Sequence, residues 1–284
     1  MALLMLSLSA YLLQAAAFLI FGTLLLQHPL LLWVLNVVSI YVVGFGLFIY
    51  FIHRTPEPPL PEPGGPLGGG AVVKFFFISV AAMYLLNFLT VFLVYLIDLV
   101  RDSSTVNPVD TMADYPLVCT VLLACVIAPL VEETMFRRLM LNRLRPYGDG
   151  FAIFLSALAF ALFHGNLNQV LYAFGVGIIF GYIAVRTGGI RITVLLHALV
   201  NFVGAVLVPP VSESTVFTAL LGLFVVVAII LGITFFVQMV RRIRLASPEI
   251  VLPPGRRWRY FFLSPGVLCF VLLALLLIVS YYIV

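Results

Sequence analysis

The sequence predicts an all-α, polytopic membrane protein, a bundle of about nine transmembrane helices with eight as the alternative count. Three observations carry this. Of 284 residues, 64% are hydrophobic and only 9% are charged, whereas a soluble domain is about half apolar and a quarter charged. Mean hydropathy is +1.22. The apolar residues fall into nine runs, several near the ~20 residues that a helix needs to cross a bilayer. So composed, the chain leaves no room for a sizeable soluble domain.

The runs can be taken in order. Residues 8–26 form the first; no Lys or Arg precedes it, and it is longer than a signal-peptide core, so it reads as a spanning helix and not a cleaved signal. Residues 30–52 form the second. Between Arg54 and Gly70 stand six prolines and five glycines; no helix survives that density, which predicts a flexible polar loop. Residues 75–100 and 117–144 follow, then the two shortest runs, 151–163 and 170–185, which are the weak points of the count. Residues 192–208, 216–240 and 261–284 complete the set. Gly177 and Gly181 make a GxxxG, which predicts close helix packing in preference to a catalytic role. Three regions result: 1–115, accessory helices with the Pro/Gly-rich loop 54–70; 116–208, which holds every polar pattern of interest; and 209–284, accessory helices again.

With nine crossings, 14 of the 15 basic residues fall on one side, and Arg101 alone on the other. Basic loops stay cytoplasmic, so the N-terminus is expected inside and the C-terminus outside. The membrane would be the plasma membrane of a prokaryote, or the endoplasmic reticulum of a eukaryote. The net charge of +4 is a topology signal and not a nucleic-acid signal. The arginine-rich loop from Arg241 to Arg259 reads first as an anchor, and second as a contact for anionic headgroups. Cys119, Cys125 and Cys269 lie inside apolar runs and read as small buried hydrophobes, not a disulfide framework.

Against this background a few polar residues stand out. Glu132 and Glu133 are followed by Arg137 four positions on; Phe160 and His164, and His197 and Asn201, are also four apart. Residues four apart share a helix face. Ionisable groups at membrane depth are costly and by default mark a functional site. Glu133 with Arg137 is a favourable ion pair, so that neither charge is left alone. Glu132 lies about 100° around the helix from Glu133, so the two glutamates differ in role. A desolvated Glu132 suits a general base. His164 can hold and polarise a water, and His197 with Asn201 offers donors from one face, as an oxyanion hole needs. A water activated by Glu132 could then attack a carbonyl polarised by His197 and Asn201.

Each group also has a structural reading. The glutamates could be solvated at a helix end, Arg137 and Arg138 could be interface anchors, His164 could cap its helix, and His197 and Asn201 could be interhelical hydrogen-bond partners. A metal site from Glu132, His164 and His197 is chemically allowed, but no H-E-x-x-H is present. No G-x-S-x-G suggests a nucleophilic serine. A transporter would use buried charges too, yet the two halves show no inverted repeat.

Taken together, Glu132-Glu133-x-x-x-Arg137, Phe160-x-x-x-His164 and His197-x-x-x-Asn201 resemble the three motifs of the CPBP (ABI) intramembrane protease family, which includes the type II CAAX prenyl endopeptidases and proteins linked to bacteriocin self-immunity. The resemblance covers residues 116–208, about a third of the chain. It implies a CPBP-type helical core with a cavity open to the cytosol, and a metal-independent glutamate protease that needs no cofactor. By position it implies Glu132 and His164 as the water-activating pair, His197 and Asn201 as the oxyanion hole, Glu133 and Arg137 as supporting residues, and Phe160 as a packing or cavity-wall residue. Expected partners are membrane lipids and a peptide or C-terminally lipidated substrate, with no nucleic acid; a non-proteolytic adaptor or immunity factor on the same fold is the alternative function. On a simple span reading Glu132 would sit nearer the inner end of its helix and His164 near the outer end. A fourth helix of 28 residues, ~42 Å at 1.5 Å per residue, could tilt to bring them level.

Overall fold

In a computed structural model, residues 1–60, 62–102, 104–105, 107, 115–208, 214–253 and 255–283 are described, the side chains of residues 23 and 26 excepted. Within them the protein is all-helical, and every expected apolar run is helix. The end of the last run at 284 and the region edge at 209 lie outside the described residues.

The elements are α1 (Ala2–Phe21), α2 (Pro29–Ile52), α3 (Gly69–Arg101), α4 (Leu117–Tyr147), α5 (Asp149–Phe163), α6 (Leu167–Thr187), α7 (Arg191–Val206), α8 (Thr215–Val240), α9 (Arg256–Phe262) and α10 (Pro265–Ser280). The count of nine crossings is not confirmed by helix length and composition. Among the described residues six helices are long and apolar enough to span, or seven if the α9–α10 pair, bent by 64°, is one crossing. The short members are α5 and α7, not α5 and α6: α6 runs 21 residues. The bend has a local cause. Pro265 opens α10 and lacks an N–H, while the Ser264 hydroxyl donates to the Phe261 carbonyl and closes α9.

Helix ends follow their sequences. Asn166 accepts from the Gln169 N–H at 3.0 Å and starts α6. Gly188, at φ +68°, ends it with its N–H on the Ala184 carbonyl. The bundle then packs around three apolar cores, the smallest being Leu141, Ala152, Ile153 and Val185. One gathers Phe180, Ile183, Leu196 and Val200 against Ile78 and Val80 of α3 and Ala228 of α8. Another joins Phe136, Phe160 and Ala173 to Leu6 of α1, Phe48 of α2 and Phe270 of α10. Outward faces carry exposed Leu, Val and Phe along α3, α8 and α10, as a chain solvated by lipid requires.

Small residues set the close approaches. A Cβ on Gly177 would stand 3.0 Å from Ala157 Cβ, and one on Gly181 3.1 Å from Ile153, so the GxxxG face of α6 lies against α5. Gly232 of α8 is tighter: a Cβ there would meet Ala81 Cβ and the Phe77 carbonyl at 2.4 Å.

Two loops differ from expectation. The Pro/Gly-rich segment is docked, not free: Arg186 donates to the Gly65 carbonyl at 3.1 Å, and Pro63 lies against Gly188. A basic side chain at the end of α6 thus satisfies a carbonyl that the prolines leave without a helical partner. After α8, the chain passes back across the α4–α5 junction. Asp149 accepts from the Ala246 N–H at 2.8 Å, and the Glu249 and Ile250 N–H groups donate to the Pro146 carbonyl. Arg257 donates to the Tyr147 carbonyl and lies over the Phe151 ring, so at least this arginine is spent inside the protein. Of the cysteines, Cys119 and Cys125 are half-buried and Cys269 is exposed on the outer face of α10; the expectation that all three are buried is corrected there.

Candidate active site

Glu132 stands midway along α4, fifteen residues from Leu117 and fifteen from Tyr147. It is therefore not near a helix end. Pro129 opens the stretch Ala128–Glu133 and removes one backbone donor. Wide π-type turns flank this stretch, at Leu122–Ile127 and Thr134–Leu141. Such turns gather at functional sites because they turn side chains out of the regular 3.6-residue repeat. Tyr41 lies in another, Val37–Gly44 of α2, and Asn201 immediately precedes a fourth, Phe202–Val206.

His164 reaches the same level by a different route. The fifteen residues of α5 span about 22 Å, short of the ~30 Å hydrocarbon core. The chain thus turns back inside the protein. Gly165 makes the turn at φ +63°, a conformation that costs other residues about 1–2 kcal/mol. Asn166, itself buried, donates to the His164 carbonyl at 2.9 Å and to Gln169 at 2.8 Å, and Gln169 donates to the Tyr172 hydroxyl. Non-helical backbone at such depth needs this enclosure by protein.

Glu132, Glu133 and Arg137 of α4 and His197 of α7, all buried, form one chain of contacts. Arg137, 1% exposed, pairs with Oε1 of Glu133, 0% exposed, at 3.2 Å. His197 Nδ1 donates to the same oxygen at 2.9 Å; a carboxylate can only accept, so Nδ1 carries the proton. The other ring nitrogen, Nε2, faces Oε2 of Glu132 at 3.7 Å. One imidazole thus stands between the two glutamates, hydrogen-bonded to Glu133 and only near Glu132. No guanidinium nitrogen of Arg137 meets hydrogen-bond geometry. Its compensation is aromatic: the guanidinium carbon lies 4.3 Å from the Phe160 ring centroid and within 6.0 Å of Phe136 and Phe180. A desolvated cation over aromatic faces gains about 2 kcal/mol. Phe160 stands at the centre of the site, edge-on to both His164 (5.0 Å) and His197 (5.7 Å).

Glu132 and His164 line one cavity of about 170 Å³. The sequence patterns, set on different helices, therefore do converge. His164 Nδ1 donates to the Phe160 carbonyl at 2.9 Å, which leaves Nε2 of the neutral ring as an acceptor. His197 and Asn201 both reach α4, but neither lines this cavity. Asn201 Nδ2 donates to the Ala124 carbonyl at 2.8 Å. The expected oxyanion donor is thus turned onto a carbonyl that the wide turn at 122–127 leaves available.

Sequence reasoning missed the contribution of the first two helices. Of eleven residues lining the cavity, seven come from α1 and α2, among them Ser7, Tyr11, Gln14 and Tyr41. Tyr41 donates to Oε1 of Glu132 at 3.1 Å. Gln14 donates to Asn36 and Ser39, which fixes α1 against α2. A signal was present: Gln14, Asn36, Ser39 and Tyr41 are polar side chains in otherwise apolar runs, and carried the same default weight as the glutamates. Among the described residues, no group of three or more His, Cys, Asp or Glu side chains is arranged to hold a metal ion.

A multi-pass helical membrane protein with a carboxylate and an imidazole facing one buried cavity is the class defined by these features. Residues 114–203 match the family model described as Type II CAAX prenyl endopeptidase Rce1-like. The match spans 90 of 284 residues, includes every motif position, and agrees with the resemblance drawn from the motifs. No match to this chain was found among curated proteins or among solved structures.

Proposed function

We propose that this protein is an intramembrane endopeptidase that uses Glu132 to activate water against a peptide bond in a membrane-associated or C-terminally lipidated, CAAX-like substrate. The observation that carries the reading is that Glu132 and His164 line one cavity while the remaining charges are paired behind it. The family match over residues 114–203 supports CAAX-type proteolysis as the reaction class.

The chemistry follows from the acceptors. A water placed between the Glu132 carboxylate and His164 Nε2 would donate one hydrogen to each, which turns an oxygen lone pair towards the substrate carbonyl carbon. Glu132 takes the proton as the C–O bond forms, and the carbonyl π electrons move to oxygen. Collapse of the tetrahedral intermediate breaks the C–N bond, and Glu132 returns its proton to the amine. One water is consumed, and one carboxylate and one amine are released. His197 stays behind the base: its Nδ1 is tied to Glu133, and its Nε2 stands 3.7 Å from Glu132, too far for a hydrogen bond. Asn201 braces α7 on α4 by donating one of its two amide hydrogens to the Ala124 carbonyl.

The test is cleavage of a fluorogenic farnesylated CAAX peptide by detergent-purified protein, wild type beside Glu132→Ala, each with and without a strong chelator. Activity that survives chelator and is lost in the variant, with unchanged unfolding, is the expected result. Retained turnover by Glu132→Ala would remove the glutamate mechanism, and loss to the chelator would replace it with a metal-dependent one. A peptide without the farnesyl group tells whether the lipid is required.

A further inference from the structure

We infer that Tyr41, on a helix outside the family-matched segment, is a positioning residue for Glu132, fixing which carboxylate oxygen meets the water; the role as stated rests on the proteolytic reading of Glu132. Three observations lead there. The Tyr41 hydroxyl donates to Oε1 of Glu132 at 3.1 Å, whereas His197 Nε2 stands 3.7 Å from Oε2. The two oxygens are therefore distinguished by their neighbours. Tyr41 also lines the same cavity as Glu132 and His164. Finally, it sits in the wide-turn stretch Val37–Gly44, and α2 is pinned beside α4 by the Trp33 Nε1–H bond to the Cys119 carbonyl at 3.0 Å.

The physical need is plain. The terminal torsion of a glutamate is broad, with no strongly preferred staggered well. A base that swings presents its lone pairs to the water only part of the time. A phenol on Oε1 sets that plane and occupies one lone pair. It leaves the remaining lone pairs, on the cavity side, for the water. The α2 helix is thereby part of the catalytic constellation and not only a scaffold. The contact cannot be supplied from within residues 114–203, because its donor stands more than seventy positions upstream.

Tyr41→Phe keeps the ring and removes only the donor. Hydrogen bonds to charged groups are worth enough that kcat should fall about ten- to a hundredfold, with KM for the farnesylated peptide and the unfolding midpoint both unchanged. A kcat within twofold of wild type would overturn the inference. So would a fall in kcat that tracks a lowered unfolding midpoint, because that is a packing effect. A readout independent of turnover separates this inference from the proteolytic reading. The infrared carboxylate stretch that Glu132→Gln removes should shift in Tyr41→Phe if the hydrogen bond exists, whether or not the protein cleaves the peptide. An unshifted band would overturn it, and a shifted band beside an inactive wild type would retain the contact and discard the protease.

Discussion

Replacing Arg137 with Met takes the charge from a side chain that is 1% exposed and leaves its partner, Glu133, at 0% exposure with no cation beside it, only the hydrogen-bonding side chains of His197 and Thr193. Met fills much of the same volume, so cavity formation contributes little. Breaking a buried pair from one side costs about 3–5 kcal/mol, because the survivor is an uncompensated buried charge. The lost contact over Phe160, at 4.3 Å, adds to this about 2 kcal/mol at most, part of which the Met sulfur recovers against the same rings. The expected destabilisation is therefore about 4–6 kcal/mol. The double variant Glu133→Gln/Arg137→Met removes both charges, and the amide oxygen of the new glutamine can still accept from His197. It should recover at least half of the loss, a coupling of about 2 kcal/mol or more. Denaturant unfolding in detergent micelles measures it, followed by tryptophan fluorescence; Trp33 is a suitable reporter because its indole N–H bonds the Cys119 carbonyl of α4. The reasoning is refuted if Arg137→Met lies within about 1 kcal/mol of wild type, or if the double variant costs the sum of the singles.

Other perturbations test neighbouring claims. Gly177→Leu should destabilise by about 1–3 kcal/mol of overpacking and lower activity as well, because its Cβ would press on Ala157 at 3.0 Å and Arg137 Nη2 at 3.4 Å; thermal unfolding and peptide turnover together check this. Gly232→Val should disrupt α3–α8 packing, its Cβ meeting the Phe77 carbonyl at 2.4 Å, and is best read from the yield of folded protein after detergent extraction. Gly165→Ala is strained at φ +63° and would crowd the Tyr11 hydroxyl at 3.3 Å. It should cost about 1–2 kcal/mol and reduce kcat by displacing His164, which a turnover assay at saturating peptide detects. Phe160→Leu removes the ring shared by Arg137 and both imidazoles, and should cost about 2 kcal/mol in the same unfolding assay.

What the sequence by itself determined was the class of protein and the polar residues that matter. Hydropathy marks helices in lipid because every backbone group must be satisfied within its own segment, and so all nine apolar runs were legible as helix. The Glu133–Arg137 pair and the shared face of Phe160 and His164 were legible because a helix converts a spacing of four into proximity. Spacing says nothing across helices, and that is where the readings departed. The span count is not confirmed at α5 and α7, since both are shorter than the ~20 residues a straight crossing needs. Glu132 and His164 meet because α5 is short and Gly165 turns it back, a matter of where the chain reverses in three dimensions. Asn201 was readable as a donor but not as one turned onto Ala124, since the carbonyl it satisfies is freed by a local widening of another helix. Above all, the wall that α1 and α2 give the cavity, and the Tyr41 contact to Glu132, came only from tertiary structure: packing brings together side chains separated by some ninety residues, and no local periodicity encodes that approach.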